Sequence, residues 1–125
     1  MSGWLDGRRI PRARWERELE KLVRLSVLDR LSGTPALSAT DVRYRREPRG
    51  RERWQTAADT FRLGQGDCED LAVYLAADLR HRGVDARVVI KRINPRLQHA
   101  LVLARVGGRL ALIDPSKARG MKGSG

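Results

Sequence analysis

The sequence predicts an α+β fold: a cysteine-bearing helix packed on a small antiparallel β-sheet, with an amphipathic helix ahead of it. Three observations predict this. Apolar residues recur at three- and four-residue steps over residues 11–31 and again from Cys68 to Leu79, the period of a helix. Beyond Gly83 they gather instead into short runs rich in Val, Leu and Ile, the signature of strands. Gly107-Gly108 joins the last two runs as a two-residue hairpin turn would.

A chain of 125 residues suits one domain over 1–125, with a real but modest core. Its first part, 11–33, reads as a helix: Trp15, Leu19, Leu22, Val23, Val27 and Leu31 form the apolar stripe, Pro11 suits the first turn and Gly33 the residue past the end. An Arg-rich connection follows at 43–53. A core with the pattern of a catalytic unit spans 54–116. A basic, Gly-rich tail, 117–125, reads as a flexible end or an extended docking arm.

Within 54–116 a short helix is expected from Thr56 to Leu63, with Thr56 as cap, Asp59 at the third position and Gly64 as stop. Asp67 is a good cap for the next helix, which carries Cys68, Leu71, Ala72, Leu75 and Leu79 on one face and ends at Gly83. Strands are expected at Ala86–Lys91, Ala100–Val106 and Leu110–Ile113, with a turn at Asn94-Pro95.

Hydrophobic content of 41% with 33% charged residues fits a globular chain with a heavily charged surface, and 5% aromatics leaves the core to aliphatic side chains. Lys and Arg number 26 against 15 Asp and Glu, a net charge of +11 that attracts nucleic acid, anionic lipid or acidic protein, or serves solubility alone. Arg43, Arg45, Arg46, Arg49, Arg51 and Arg53, flanked by Tyr44 and Trp54, form the densest basic stretch. It reads as a phosphate-contacting arm with two stacking platforms, as a surface for an acidic assembly partner, or as a solvated loop. Charges fill Met1 to Pro11 where a signal peptide needs an apolar stretch, and no run reaches the roughly 18 apolar residues of a membrane span. The expectation is a cytoplasmic or virion-associated protein with no membrane role. One cysteine excludes an internal disulfide and a Cys-rich zinc site.

That cysteine, Cys68, falls in the first turn of its helix, where unpaired N–H groups and the helix dipole favour thiolate. The preceding Gly-Gln-Gly lets a substrate backbone approach. A small buried hydrophobe would look the same at this position. The hairpin adds a second line of argument. With Gly107-Gly108 as the turn, Val106 faces Arg109 and Leu101 faces Asp114, so His99 is diagonal to Asp114 on one face. A diagonal separation of roughly 7–8 Å is within reach of an imidazole–carboxylate hydrogen bond. Asp114 would then fix the ring tautomer, and His99 would take the Cys68 proton. The rival readings are a satisfied half-buried histidine and an Asp-Pro turn opening. His81, between Arg80 and Arg82, reads as surface.

Gly66-Asp67-Cys68-Glu69-Asp70-Leu71-Ala72, then Gln98-His99-Ala100, then Ile113-Asp114-Pro115 resembles the transglutaminase-like superfamily, most of all the bacterial transglutaminase-like cysteine proteinases, with similar small proteins in phage genomes. The resemblance runs from about Trp54 to Pro115 and implies a papain-like, transglutaminase-like core. It implies Cys68 as nucleophile, His99 as general base and acid, and Asp114 as orienting group. The oxyanion hole would join the Cys68 backbone N–H to a second donor, with Gln65 and Gln55 as candidates. Periplasmic relatives bind calcium through acidic residues flanking the cysteine, a pattern that Asp67, Glu69 and Asp70 match; those residues equally suit a helix cap and first turn. No cofactor is otherwise required. The function implied is a thiol-dependent hydrolase or acyltransferase acting on amide bonds of a protein or peptide substrate. The alternative is a non-catalytic structural or assembly protein, such as a virion component, reusing the fold.

Overall fold

A computed structural model of the chain describes residues 4–5, 8–9, 11–46, 54–94 and 97–121. The helical period of residues 11–31 becomes α1 (Arg12–Leu31), with Pro11 as N-cap. Trp15, Leu19, Val23 and Ser26 are its buried residues, whereas Leu31 is exposed. The stripe ends on a serine because Ser26 makes a polar contact across the fold. Its hydroxyl accepts the Ala57 N–H at 2.9 Å, while Asp29 accepts the Ala58 N–H at 3.0 Å. Two α1 side chains thus satisfy N–H groups at the start of α2 (Ala57–Leu63). The expected capping box of Thr56 and Asp59 is present, and Gly64 ends α2 at φ 73°.

α3 (Cys68–His81) occupies the middle of the molecule. Apart from Leu75, every residue from Cys68 to Asp78 is buried, so both sides of the helix are covered. Sequence periodicity assigned one face to Leu75 and Leu79, but these are only partly buried. The difference arises because α1, α2 and the sheet pack on the other sides of α3 and leave the side of Leu75 and Leu79 the less covered one. Asp78, deep on this helix, accepts the Leu37 N–H at 2.8 Å and lies 2.7 Å from Arg30 Nε.

The sheet is β5 (Ala86–Asn94), β6 (Leu97–Val106) and β7 (Arg109–Ile113), in the order β5-β6-β7 and antiparallel throughout. Gly107 and Gly108 form the turn at φ 57° and 78°, positive at both positions as a type I′ hairpin requires. Val106 pairs with Arg109 and Val102 with Ile113, the expected register. Ala86, Val88, Ile90, Ala100, Val102 and Ala104 turn inward onto Trp15, Leu19, Val23 and the helix of Cys68. β5 runs beyond its expected end because an irregularity between Arg92 and Asn94 absorbs the register shift.

Two short pairings lay below the reach of sequence patterns. β1 (Trp4–Leu5) pairs antiparallel with β2 (Arg8–Arg9), and β3 (Arg43–Tyr44) pairs in parallel with β4 (Gln65–Gly66). Two-residue ladders leave no period to read. At the start of the expected tail, α4 (Pro115–Ala118) continues from β7, and Arg119 donates to the carbonyls of Thr40 and Leu37 at 2.8 and 2.7 Å; residues 122–125 of that tail lie outside the described residues. The Tyr44 N–H returns a bond to the Arg119 carbonyl at 2.9 Å. No described helix is long and apolar enough to cross a membrane.

Candidate active site

Asp67 caps α3 through a reciprocal pair of bonds. Its carboxylate accepts the Asp70 N–H at 3.2 Å, and Asp70 accepts the Asp67 N–H at 3.0 Å. Gly66 makes room for this arrangement: a Cβ there would meet the Asp70 Cβ at 2.7 Å and Thr60 Cγ2 at 3.2 Å. The glycine expected to admit a substrate backbone is thus required by packing within the site itself.

Cys68 is 1% exposed. Its S–H donates to Glu69 Oε2 at 3.7 Å. The helix N-terminus does not decide the state of the thiol. Burial pushes it up to about 11, the nearby Asp67 charge acts in the same direction, and the Ala100 backbone N–H opposes both. The expected thiolate is therefore replaced by a resting thiol. Glu69 is held well above the usual carboxylate range, first by burial and then by the charges of Asp67 and Cys68. Desolvation outweighs the dipole because these groups lie beneath the surface rather than at an open helix end.

The Ala100 contact follows from strand geometry. Ile90, the partner of Ala100 across β5 and β6, turns its N–H outward to Glu16 Oε2 at 2.8 Å. In an antiparallel pair this makes Ile90 and Ala100 a non-hydrogen-bonded pair, so the Ala100 N–H points to the other edge of β6. The ladder with β7 ends at Ile113, and the thiol takes that N–H. His99, one residue earlier on β6, turns to the outer face of the sheet with Leu101 and Leu112, in a cleft that Cys68 does not line. Its Nε2 lies 2.9 Å from Asp114 Oδ2, and both side chains are largely buried. Asp114 is also the N-cap of α4, accepting the Ser116 N–H at 3.1 Å through its other oxygen. The bond to Nε2 leaves Nδ1 as the second ring nitrogen.

Within two residues of Cys68, His99 and Asp114 stand three buried polar atoms that lack a partner among the described residues: Glu69 Oε1, Gln98 Oε1 and Ser116 Oγ. A cleft of about 190 Å³ is lined by His99, Leu101 and Asp114 together with Lys91, Leu112 and Lys117, and Cys68 is not among its lining residues. A second groove, of about 480 Å³, lies over Trp54, Gln55, Asp59, Arg62 and Leu63.

The remaining candidates fall as follows. The Gln55 amide donates to Thr60 Oγ1 at 3.0 Å and to the Gln65 carbonyl at 3.5 Å, so both of its hydrogens are engaged. Gln65 accepts from Arg45 at 3.3 Å. Asp67, Glu69 and Asp70 are buried at the helix start, and no group of three or more His, Cys, Asp or Glu among the described residues is arranged to hold a metal ion. As they stand these carboxylates do not form a calcium cage, and no step below is routed through one. Arg43, Arg45 and Arg46 are exposed; Arg49, Arg51 and Arg53 lie outside the described residues. Tyr44 and Trp54 are half-buried against the core, and Trp54 meets the Trp15 ring edge-on at 5.4 Å.

Tyr44, read from the sequence only as a stacking platform, lies near Cys68 and Asp67. Burial first, then the charges that Cys68 (once ionised) and Asp67 carry, push its phenol up to about 12, so its hydroxyl is protonated. Only the parallel pairing of β3 with β4 brings it there.

A family model described as the transglutaminase-like superfamily matches residues 30–115. The chain belongs to the transglutaminase-like superfamily. The match begins near the end of α1 and takes in β3, well ahead of the Trp54 boundary that motifs suggested. Transglutaminase-like domains commonly belong to cysteine proteases and acyltransferases, and membership here supports cysteine-dependent amide-bond chemistry in general. Neither curated proteins nor solved structures provide a match to this chain.

Proposed function

We propose that this transglutaminase-like chain is a thiol-dependent hydrolase or acyltransferase that acts on amide bonds of a protein or peptide through Cys68, His99 and Asp114. The observation that carries the reading is the 2.9 Å His99–Asp114 bond, one residue from the N–H that reaches the Cys68 thiol.

Asp114 holds Nε2–H, which leaves Nδ1 as a base. With a thiol near 11, catalysis runs by general base rather than from a preformed ion pair. As Sγ bonds to the amide carbonyl carbon, its proton passes to Nδ1 and the carbonyl electrons move to oxygen. The capping box uses the N–H groups of Asp67 and Asp70, and that of Cys68 is left for the oxyanion. The Tyr44 hydroxyl supplies the second donor. Collapse of the intermediate breaks the C–N bond, the amine leaves with the imidazolium proton, and the acyl group stays on sulfur. Water or an amine then attacks the thioester carbonyl as His99 takes its proton; the C–S bond breaks, the acid or new amide leaves, and His99 returns the proton to the Cys68 sulfur. The orphaned polar atoms beside the three residues support a ligand at this place, because each costs roughly 1–3 kcal/mol while unpaired.

The test uses p-nitrophenyl acetate on the full chain. A burst of p-nitrophenol with acetyl on Cys68, found by peptide mass and abolished by Cys68→Ala and by His99→Ala, is expected. A burst that survives either substitution, or no acyl-enzyme at all, removes the reading.

A further inference from the structure

The sheet has an inner face covered by α1 and α3, and an outer face that no described helix covers. On that outer face the register lines up Arg87, Leu103 and Leu112 across the three strands, with Arg105 opposite Leu110 beside them. Leu110 and Leu112 are 62% and 59% exposed, more than leucines normally are beside a buried site. The same face runs into the cleft of His99 and Asp114, whose mouth carries Lys91 and Lys117.

The charge on this surface is one-sided. Asp114 is engaged by His99 and Ser116. Asp85 stands at the far end, where its carbonyl accepts the Arg105 N–H. Arg87, Lys91 and Lys117 make no ion pair among the described residues. A leucine floor with a cationic rim is complementary to a polypeptide that mixes apolar and acidic residues, its apolar side chains meeting the floor and its carboxylates the rim. Nucleic acid would gain nothing from the leucines. A second copy would bring two cationic rims together on chains of net charge +11.

We propose that the outer face of β5–β7 is a docking surface for an acidic, apolar segment of the protein substrate, which it leads into the His99 cleft. This rests on the catalytic reading above and names the substrate class it takes.

The experiment measures anisotropy of a fluorescein-labelled peptide of alternating leucine and glutamate on the full chain. Leucine–lysine and serine–glutamate peptides serve as controls, and melting curves check that each variant folds. The leucine–glutamate peptide should bind at least about tenfold more tightly than either control, a difference of about 1.4 kcal/mol. The variant carrying Lys91→Glu and Lys117→Glu should lose it and accept the leucine–lysine peptide, and Leu110→Ser with Leu112→Ser should weaken it with the charges intact. Equal binding of the three peptides overturns the proposal, as does binding that survives charge reversal. Preference for oligothymidine over the peptide overturns it in favour of nucleic acid. A dimer in sedimentation that the two serines dissolve overturns it in favour of a second copy. Because binding needs no turnover, it is read beside acylation by p-nitrophenyl acetate: peptide binding without acyl-enzyme removes the catalytic reading alone, and acyl-enzyme without peptide binding removes the docking surface alone.

Discussion

Glu16 on α1 accepts the backbone N–H of Ile90 at 2.8 Å, so a helix side chain stands where the sheet has no further strand. Arg80 does the same for the Ala86 carbonyl at 2.6 Å, while its guanidinium grips Glu20 on α1. The outer edge of β5 is thereby closed by side chains. Glu16→Ala should destabilise the chain by about 1–3 kcal/mol, the cost of an orphaned part-buried N–H. Amide exchange should quicken at Ile90 more than at residues of α2. Unchanged protection at Ile90 would count against this account of the edge.

The Asp114 carboxylate has two roles, orienting His99 and capping α4. Asp114→Asn preserves the size of the side chain but can present an N–H to Nε2, favouring the wrong tautomer. Acylation by p-nitrophenyl acetate should fall by about 10³- to 10⁴-fold with little change in melting temperature. A drop of less than tenfold would mean that the bond only packs the ring.

Cys68 sets a test in pH. Its thiol is raised to about 11, so in the resting chain the neutral form is favoured and iodoacetamide should label it more slowly at pH 8 than it labels a free thiol. The same shift links to stability. Above about pH 9 the unfolded thiol ionises while the folded one does not, so stability is full below that pH and falls as the pH rises toward 11, by roughly 2–3 kcal/mol. Cys68→Ala should remove that part of the alkaline loss. Stability that declines identically in both chains would refute the linkage.

Glu69 carries a carboxyl raised well above its ordinary range, chiefly by burial. Between about pH 4.3, where the unfolded group ionises, and the folded value, folding must take up a proton, and stability declines as the pH rises. Glu69→Gln keeps the shape and removes the proton. It should raise the melting temperature at pH 7.5 and leave it nearly unchanged at pH 4, the difference being read by calorimetry.

At Gly66 the obstacle is steric, because Asp70 and Thr60 pack where a Cβ would go. Gly66→Ala should cost about 1–3 kcal/mol by overpacking. It should also slow acylation, since the Asp70 side chain that closes the α3 cap must move. A stable variant with full acylation would show that Asp70 has room to yield.

Much of this molecule was legible in one dimension. Thr56, Asp59 and Gly64 bounded α2, and Asp67 bounded α3, because caps and stops are local chemistry. Gly107-Gly108 set the hairpin register, and with it the meeting of His99 and Asp114, because a two-residue turn leaves one way to pair the strands. Ser26 broke the reading of α1. A polar residue on an apolar stripe is explained only by the Ala57 N–H it meets across the fold.

Local order along the chain therefore determined the helices and the hairpin, and it singled out the three candidate site residues. Tertiary structure decided the state of the thiol, which the dipole would have lowered and burial raises, because desolvation depends on everything packed around Cys68. It also brought Tyr44 alongside the start of α3, through a two-residue parallel pairing between segments far apart in sequence. It left the leucines of β7 uncovered, a matter of which face of the sheet the helices happen to pack.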